Sequence, residues 1–270
     1  MHYGIEVVPF GLYSDPRLVV ELAQAAEVAG WEAITLWDHV LFPYGAGDPW
    51  ITLAAVATAT RTLKLCTDVS PLPRYSPHVL ARTLIALDIL SQGRVILGAG
   101  AGVDFDFTPV DPSTSPKRRA EILDESLAIL AHLLAGKPVT FHGAHFTFDN
   151  VQLAPGPVQR PRIPVWIGGD SRPAYRRAAK WDGWVIGTID EQQNITLTPA
   201  QVAERVTAIR SHRTDDAPFA VAVSGATAPG NAALPQAYAA VGATWWFETI
   251  FASRGSHAEM LARIEAGPPR

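Results

Sequence analysis

Hydrophobic and polar positions along this chain switch between two periods. Short apolar runs, such as Ala33-Ile34-Thr35-Leu36-Trp37 and Val95-Ile96-Leu97, read as strands covered on both faces. Longer stretches between them repeat apolar residues at helical spacing. The pattern predicts strands at 3–8, 33–37, 64–70, 94–99, 163–168, 183–186, 218–224 and 243–248. It predicts helices at 15–29, 49–60, 76–91, 116–135, 173–181, 199–211, 231–241 and 256–266. Helix starts are marked by a capping side chain before proline: Asp15-Pro16, Asp48-Pro49, Ser76-Pro77, Ser115-Pro116 and Thr198-Pro199. Gly30, Gly93, Gly136 and Gly242 mark helix ends. In the third helix, Val79, Leu80, Thr83, Leu84, Leu87 and Leu90 are expected to share the buried face.

Alternating strands and helices require parallel strands with helical crossovers. Eight units over 270 residues favour an α/β fold of the closed (β/α)8 (TIM) barrel type, as a single domain over 1–270. One connection is long. Residues 137–162 contain two β-like pieces, 139–141 and 145–148, around His142-Gly143-Ala144. They predict a hairpin before the fifth strand, on the amino-terminal face of the barrel.

Composition narrows the function classes. The formal net charge is −4, without a long run of one sign, so nucleic acid is not an expected partner. Cys66 is the single cysteine, which excludes an internal disulfide. No apolar stretch reaches spanning length and no leader is evident, so a cytoplasmic protein without a membrane partner is expected.

A barrel builds its site from strand carboxyl ends and the loops after them. By that rule His2, His132, His142, His145 and His212 belong toward the wrong end, whereas His39, His78 and His257 can face a pocket. His39 follows Asp38 where strand two opens; an imidazole there can donate a hydrogen bond or shuttle a proton, with Asp38 as the orienting carboxylate. Asp68 and Val69 end strand three. Gly98, Gly100 and Gly102 leave strand four bare, space for a flat ligand. The run fails the dinucleotide fingerprint because Val103 stands where the third glycine is needed. Gly168 and Gly169 precede a helix start that can hold an anion, with Arg172 near and Asp170 opposing; Gly187 and Thr188 follow the next strand. Arg254 follows the last strand, where phosphate contacts are common in barrels. Glu6, inside strand one, needs a buried partner. Substrate choice is expected from loops 40–48, 102–115, 187–198 and 249–256.

The stretch RYSPHVLARTLIALDILSQGRVILGAGAG, from Arg74 to Gly102, resembles the recurring core of the bacterial-luciferase-like superfamily of flavin- and deazaflavin-dependent oxidoreductases. The hairpin and the Trp166-Ile167-Gly168-Gly169 segment are similar to it as well. The resemblance implies coenzyme F420 or FMN as cofactor, with F420 slightly favoured, acting on a small organic substrate by hydride transfer or monooxygenation. It implies catalytic roles for His39 and Asp38. It places Asp68, Val69, Gly100, Gly168, Gly169, Gly187 and Thr188 on the cofactor, with a non-prolyl cis bulge at Asp68-Val69. A homodimer is typical of such proteins. Val103 departs from a related sugar-phosphate dehydrogenase branch, where an acid after the glycine run donates a proton; Asp104 and Asp106 stand nearby. Two other classes remain open: a non-catalytic partner subunit, and a metal-dependent hydrolase drawing ligands from Asp38, His39 and Asp68, although no metal site is expected.

Overall fold

A computed structural model describes residues 1–42, 45–190 and 192–270. Eight parallel strands close a barrel: β1 (His2–Val7), β2 (Ala33–Leu36), β3 (Lys64–Thr67), β5 (Val95–Gly100), β8 (Val165–Gly168), β9 (Gly183–Gly187), β10 (Ala220–Gly225) and β11 (Trp245–Ile250). Closure comes from β1 pairing with β11, Gly4 opposite Phe247, and from β3 pairing with β5, Cys66 opposite Ile96. The crossovers are α1 (Pro16–Val28), α2 (Pro49–Ala59), α3 (Pro77–Leu90), α5 (Pro116–Leu133), α6 (Arg172–Ala178), α7 (Pro199–Arg210), α8 (Ala233–Ala240) and α9 (His257–Glu265). Asp15, Asp48, Ser115 and Thr198 accept backbone N–H groups as caps. Ser76 sits at the cap position of α3, but its side chain makes no capping bond.

Period-two alternation separates two cores. Ala33, Cys66, Ile96, Trp166, Val185, Ala222 and Phe247 fill the barrel interior. The alternate residues, Ile5, Ile34, Leu65, Leu97, Ile167 and Val221 among them, pack outward against the helices. An added Cβ on Gly4 would lie 2.4 Å from Phe247, so that face of β1 looks inward, and Glu6, two residues on, shares it.

Three expectations need correction, and one element is new. The strand predicted over 64–70 is interrupted: β3 stops at Thr67 and β4 (Ser70–Pro71) resumes the pairing with β5. Cys66 faces Ile96 and Ser70 faces Ala99, so β3 and β4 carry one extra residue relative to β5, a bulge. On α3, Val79 and Leu90 are exposed, and Leu80, Ala81, Leu84, Ile85, Leu87 and Asp88 make the buried face. The hairpin β6 (Val139–His142) and β7 (Thr147–Val151) does not stay on the amino-terminal face. Glu125 accepts N–H groups from Ala144, His145 and Phe146 and draws the turn along α5; Phe148 lies 5.7 Å from His78 in the first turn of α3. A one-turn helix, α4 (Asp104–Phe107), stands between β5 and α5 and was not predicted.

The most recognisable motif, LDILSQGR, holds the opposite end of the barrel from the site. Asp88 is buried and accepts N–H groups from Val158 and Gln159 and the Gln159 amide. Arg94 donates to the carbonyls of Ala57, Thr60, Leu63 and Ser91 and to the Thr60 hydroxyl. Together they satisfy backbone groups at the ends of two helices and the proline-rich return.

Candidate active site

A cleft of about 520 Å³ opens at the carboxyl ends of the strands. Asp38 and His39 line it from β2, Asp68 and Val69 from the bulge, and Gly100 from β5. Gly168, Gly169 and Gly187 line the far wall. Thr188 does not line it: the residue is fully buried and gives its hydroxyl to the Ser224 carbonyl.

The glycines on β5 do not leave bare backbone. An added Cβ at Gly100 would lie 2.5 Å from Val69 Cγ2, and one at Gly168 would lie 2.8 Å from Val69 Cγ1. At Gly98 it would lie 1.9 Å from the Thr67 carbonyl oxygen. At Gly102 it would meet Phe107 and Pro71. Gly100 and Gly168 are small because Val69 of the bulge fills the space above them, Gly98 because the end of β3 does, and Gly102 because Phe107 and Pro71 do. The Asp68-Val69 peptide is cis and non-prolyl, and the flat surface facing the cleft is the half-buried Val69 side chain.

His39 is oriented by a carboxylate other than Asp38. Its Nδ1 lies 2.6 Å from Asp106 Oδ2, and Phe105 stacks on the ring at 5.2 Å and 25°. Both partners come from α4. Asp106 Oδ1 accepts the N–H groups of Val40 and Leu41, which fixes the loop that carries the imidazole. Burial works to raise the Asp106 carboxyl, but the Leu41 N–H, the His39 ring and the Val40 N–H outweigh it and hold the group below the usual carboxylate range. The Arg119–Asp104 pair, at 2.5 Å, ties α4 to α5.

Asp38 turns away from His39. Arg74 donates to its Oδ1 at 2.6 Å and to its carbonyl at 2.7 Å, and the Tyr75 hydroxyl donates to Oδ2 at 2.7 Å. Trp50 donates in turn to the Tyr75 oxygen. Burial pushes Asp38 up, against the pull of Arg74 and Tyr75. The Asp38-His39 pair therefore splits its labour: one carboxylate anchors the start of α3, and one imidazole faces the cleft. This split also removes the metal reading built on Asp38, His39 and Asp68. Among the described residues no group of three or more His, Cys, Asp or Glu side chains is placed to hold a metal ion.

Asp170, Arg254, His257 and Glu6 each have a partner. Asp170 points away from the α6 start, held by Arg205 and the Tyr175 hydroxyl. Arg254 is paired with the buried Glu248 at 2.9 Å. His257 pairs with Glu21 of α1. Glu6 accepts from Trp37 Nε1 at 3.0 Å and from the Thr249 hydroxyl at 2.8 Å. Sequence reasoning missed Asp106 as the partner of His39. The available signal was the run Val103-Asp104-Phe105-Asp106-Phe107 immediately after a strand that enters the rim.

A second, smaller cavity of about 230 Å³ adjoins the cleft and shares Glu6, Trp37 and Gly187 with it. Its wall is mostly apolar, with Val8, Phe42, Ile189 and Phe251. The expected specificity loops 40–48 and 187–198 contribute Phe42, Ile189, Asp190 and Gln193; Pro43, Tyr44 and Glu191 within them lie outside the described residues.

The chain belongs to the luciferase-like monooxygenase family, whose sequence profile matches residues 5–266. An uncharacterised protein of Mycobacterium bovis is 28% identical over 233 residues, covering 78% of this chain and 77% of that protein. Among solved structures, the monooxygenase RslO1 of Streptomyces bottropensis superposes with a TM-score of 0.78 at 19% identity, covering 98% of this chain and 97% of its own. An F420-dependent secondary alcohol dehydrogenase, in complex with an F420–acetone adduct, gives 0.80 at 17% identity, covering 99% and 98%. These likenesses fix the fold, a luciferase-like TIM barrel.

Proposed function

We propose that this protein is an oxidoreductase that binds a reduced flavin-type ring in the larger cleft, coenzyme F420 in preference to FMN, and acts on a small, largely apolar organic substrate. The observation that carries this reading is the Val69 shelf, seated on Gly98, Gly100 and Gly168 beside the His39–Asp106 pair. A cleft of this volume lies within the range of about 300–1,000 Å³ usual for small-ligand sites. Val69 offers an apolar face to one side of a planar ring. Gly168, Gly169 and Ser171 line the cleft and leave room for the anionic arm of such a cofactor, because Asp170 is turned toward Arg205. The bound ring would supply the electrons for substrate reduction or oxygen activation. The chain's own part is to hold His39 with one ring nitrogen committed to Asp106 and to shield the ring from water. The Asp38-His39 pair, the Arg74-Tyr75-Ser76-Pro77 run and the resemblance of the bulge favour the deazaflavin.

Titration of the purified protein with reduced FMN and reduced F420, followed by tryptophan fluorescence, tests this. Saturable binding of F420, tighter than FMN, is expected. Tighter FMN binding would overturn the cofactor preference, and binding of neither would remove the whole reading.

A further inference from the structure

Two carboxyl groups meet on the floor of the cleft without a cation between them. Glu6 reaches the spot from the inward face of β1, and Asp68 from the bulge after β3; both line the larger cleft. The two carboxyl groups lie close enough for the Glu6 side chain to act on Asp68. Glu6 also lines the smaller apolar cavity, so it stands in the wall between the two compartments, with Asp68 on the cleft side. Asp68 Oδ2 is sealed from solvent and receives no hydrogen bond from a donor.

The charged neighbours are all engaged elsewhere. Arg74 faces Asp38 and Asp106, Arg177 faces Asp124, and Arg254 faces Glu248. His39 faces Asp106, and Asp190 accepts from Gln192 and Asn194 within its own loop. Cys66, on the same face of β3 below Asp68, is buried. Among the described residues neither Glu6 nor Asp68 has an ion-pair partner. Two neighbouring like charges, one with an oxygen sealed from solvent, favour sharing a single proton. Both Glu6 oxygens already take a donor, from Trp37 and Thr249, whereas the sealed Asp68 oxygen takes none.

We propose that Glu6 and Asp68 hold a single proton between them, carried on Asp68, and that this pair is the proton source for a neutral carbonyl-type substrate seated in the smaller cavity. The substrate role rests on the oxidoreductase reading above; the proton sharing does not. As hydride from a reduced flavin or deazaflavin adds to the carbonyl carbon, the C=O π bond opens onto oxygen. The Asp68 O–H bond breaks, its proton passes through Glu6 to that oxygen, and the pair is left doubly charged until solvent reprotonates it. The oxidised ring and a neutral alcohol are the products. A carboxylate substrate is disfavoured, because the pair already carries one negative charge. Burial and the adjacent Glu6 charge both push the Asp68 carboxyl well above the ordinary range, in line with this arrangement.

Infrared difference spectroscopy of the cofactor-free protein, titrated with acid and base, tests the shared proton. A protonated-carboxyl stretch present at pH 7 in the native chain and absent in Asp68→Asn is expected. Glu6→Gln keeps that stretch but moves its titration down by about one pH unit or more, because the neighbouring charge is gone. If Asp68→Asn fails to fold, the Glu6→Gln shift alone decides. No protonated carboxyl at pH 7, or a titration unmoved by Glu6→Gln, overturns the proposal. Binding of F420 together with either of those results sinks the pair and leaves the oxidoreductase reading. The expected spectra with no cofactor binding sink that reading and leave the shared proton. With a cofactor and a carbonyl substrate in hand, Asp68→Asn should lower kcat by about 10²–10⁴-fold and remove the loss of rate at high pH. Unchanged kcat would overturn the donor role.

Discussion

At the scale of single residues, function turns on which carboxylate meets which partner. His39 was legible as a rim histidine because it follows a strand directly. Its neighbour in sequence, Asp38, was the natural candidate to orient it, yet successive residues at a strand end point in different directions, and Asp38 goes to Arg74 and Tyr75. The orienting group is Asp106, distant in sequence and brought near by β5 and α4. His39→Ala should cut turnover by about 10²–10⁴-fold, and Asp106→Asn by about 10–100-fold with cofactor affinity retained; steady-state kinetics beside a binding titration separate the two effects. Asp106 and Asp68 also act oppositely on stability. Asp106 is held low, so its contribution is present above the unfolded carboxyl value near ~3.9 and is lost as pH falls through the folded value. Asp68 is held high, so the folded chain binds that proton more tightly than the unfolded chain, and stability declines as pH rises from ~3.9 toward the folded value. Urea midpoints across pH should therefore show Asp68→Asn gaining on the native chain at alkaline pH and Asp106→Asn converging with it in acid. A parallel offset at every pH would contradict both assignments.

Among the elements, the eight strands and eight crossover helices were visible because each carries its own period and most helix starts carry a proline behind a capping side chain. The break in the third strand was not visible in the periodicity; only the family resemblance implied a bulge at Asp68-Val69, where the cis peptide lies. Residues 64–70 read as one continuous strand, and the register against β5 shows the extra residue. The glycines on β5 stand out in the sequence, but an empty side-chain position does not say what fills it, and at Gly100 the nearest neighbour is Val69. Gly100→Ala would drive a Cβ into Val69 Cγ2 at 2.5 Å. It should cost about 1–3 kcal/mol in chemical denaturation and weaken cofactor binding. Adding Val69→Ala to it should return part of that loss, a coupling measurable in a double-mutant cycle. Strict additivity would mean that the shelf does not rest on Gly100. The one-turn α4 escaped because four residues are too few to show a helical period.

Across the whole molecule, the two ends of the barrel do separate jobs. The amino-terminal end is closed by Asp88 and Arg94, which answer backbone groups from two helices and the return segment after the hairpin. Arg94→Leu would strand those carbonyls and should destabilise the chain by about 3–5 kcal/mol, while the molecules that remain folded bind cofactor normally. Loss of binding in step with stability would show that the ends are coupled. The motif that most readily marks this chain as a relative of others is thus a clasp remote from the chemistry. Descent can preserve such a clasp while the rim loops drift to new reactants. Kinship traced through Asp88 and Arg94 therefore certifies a shared chassis, and inherited chemistry has to be sought one barrel-length away, in what stands at the places of Glu6, Asp68 and Asp106.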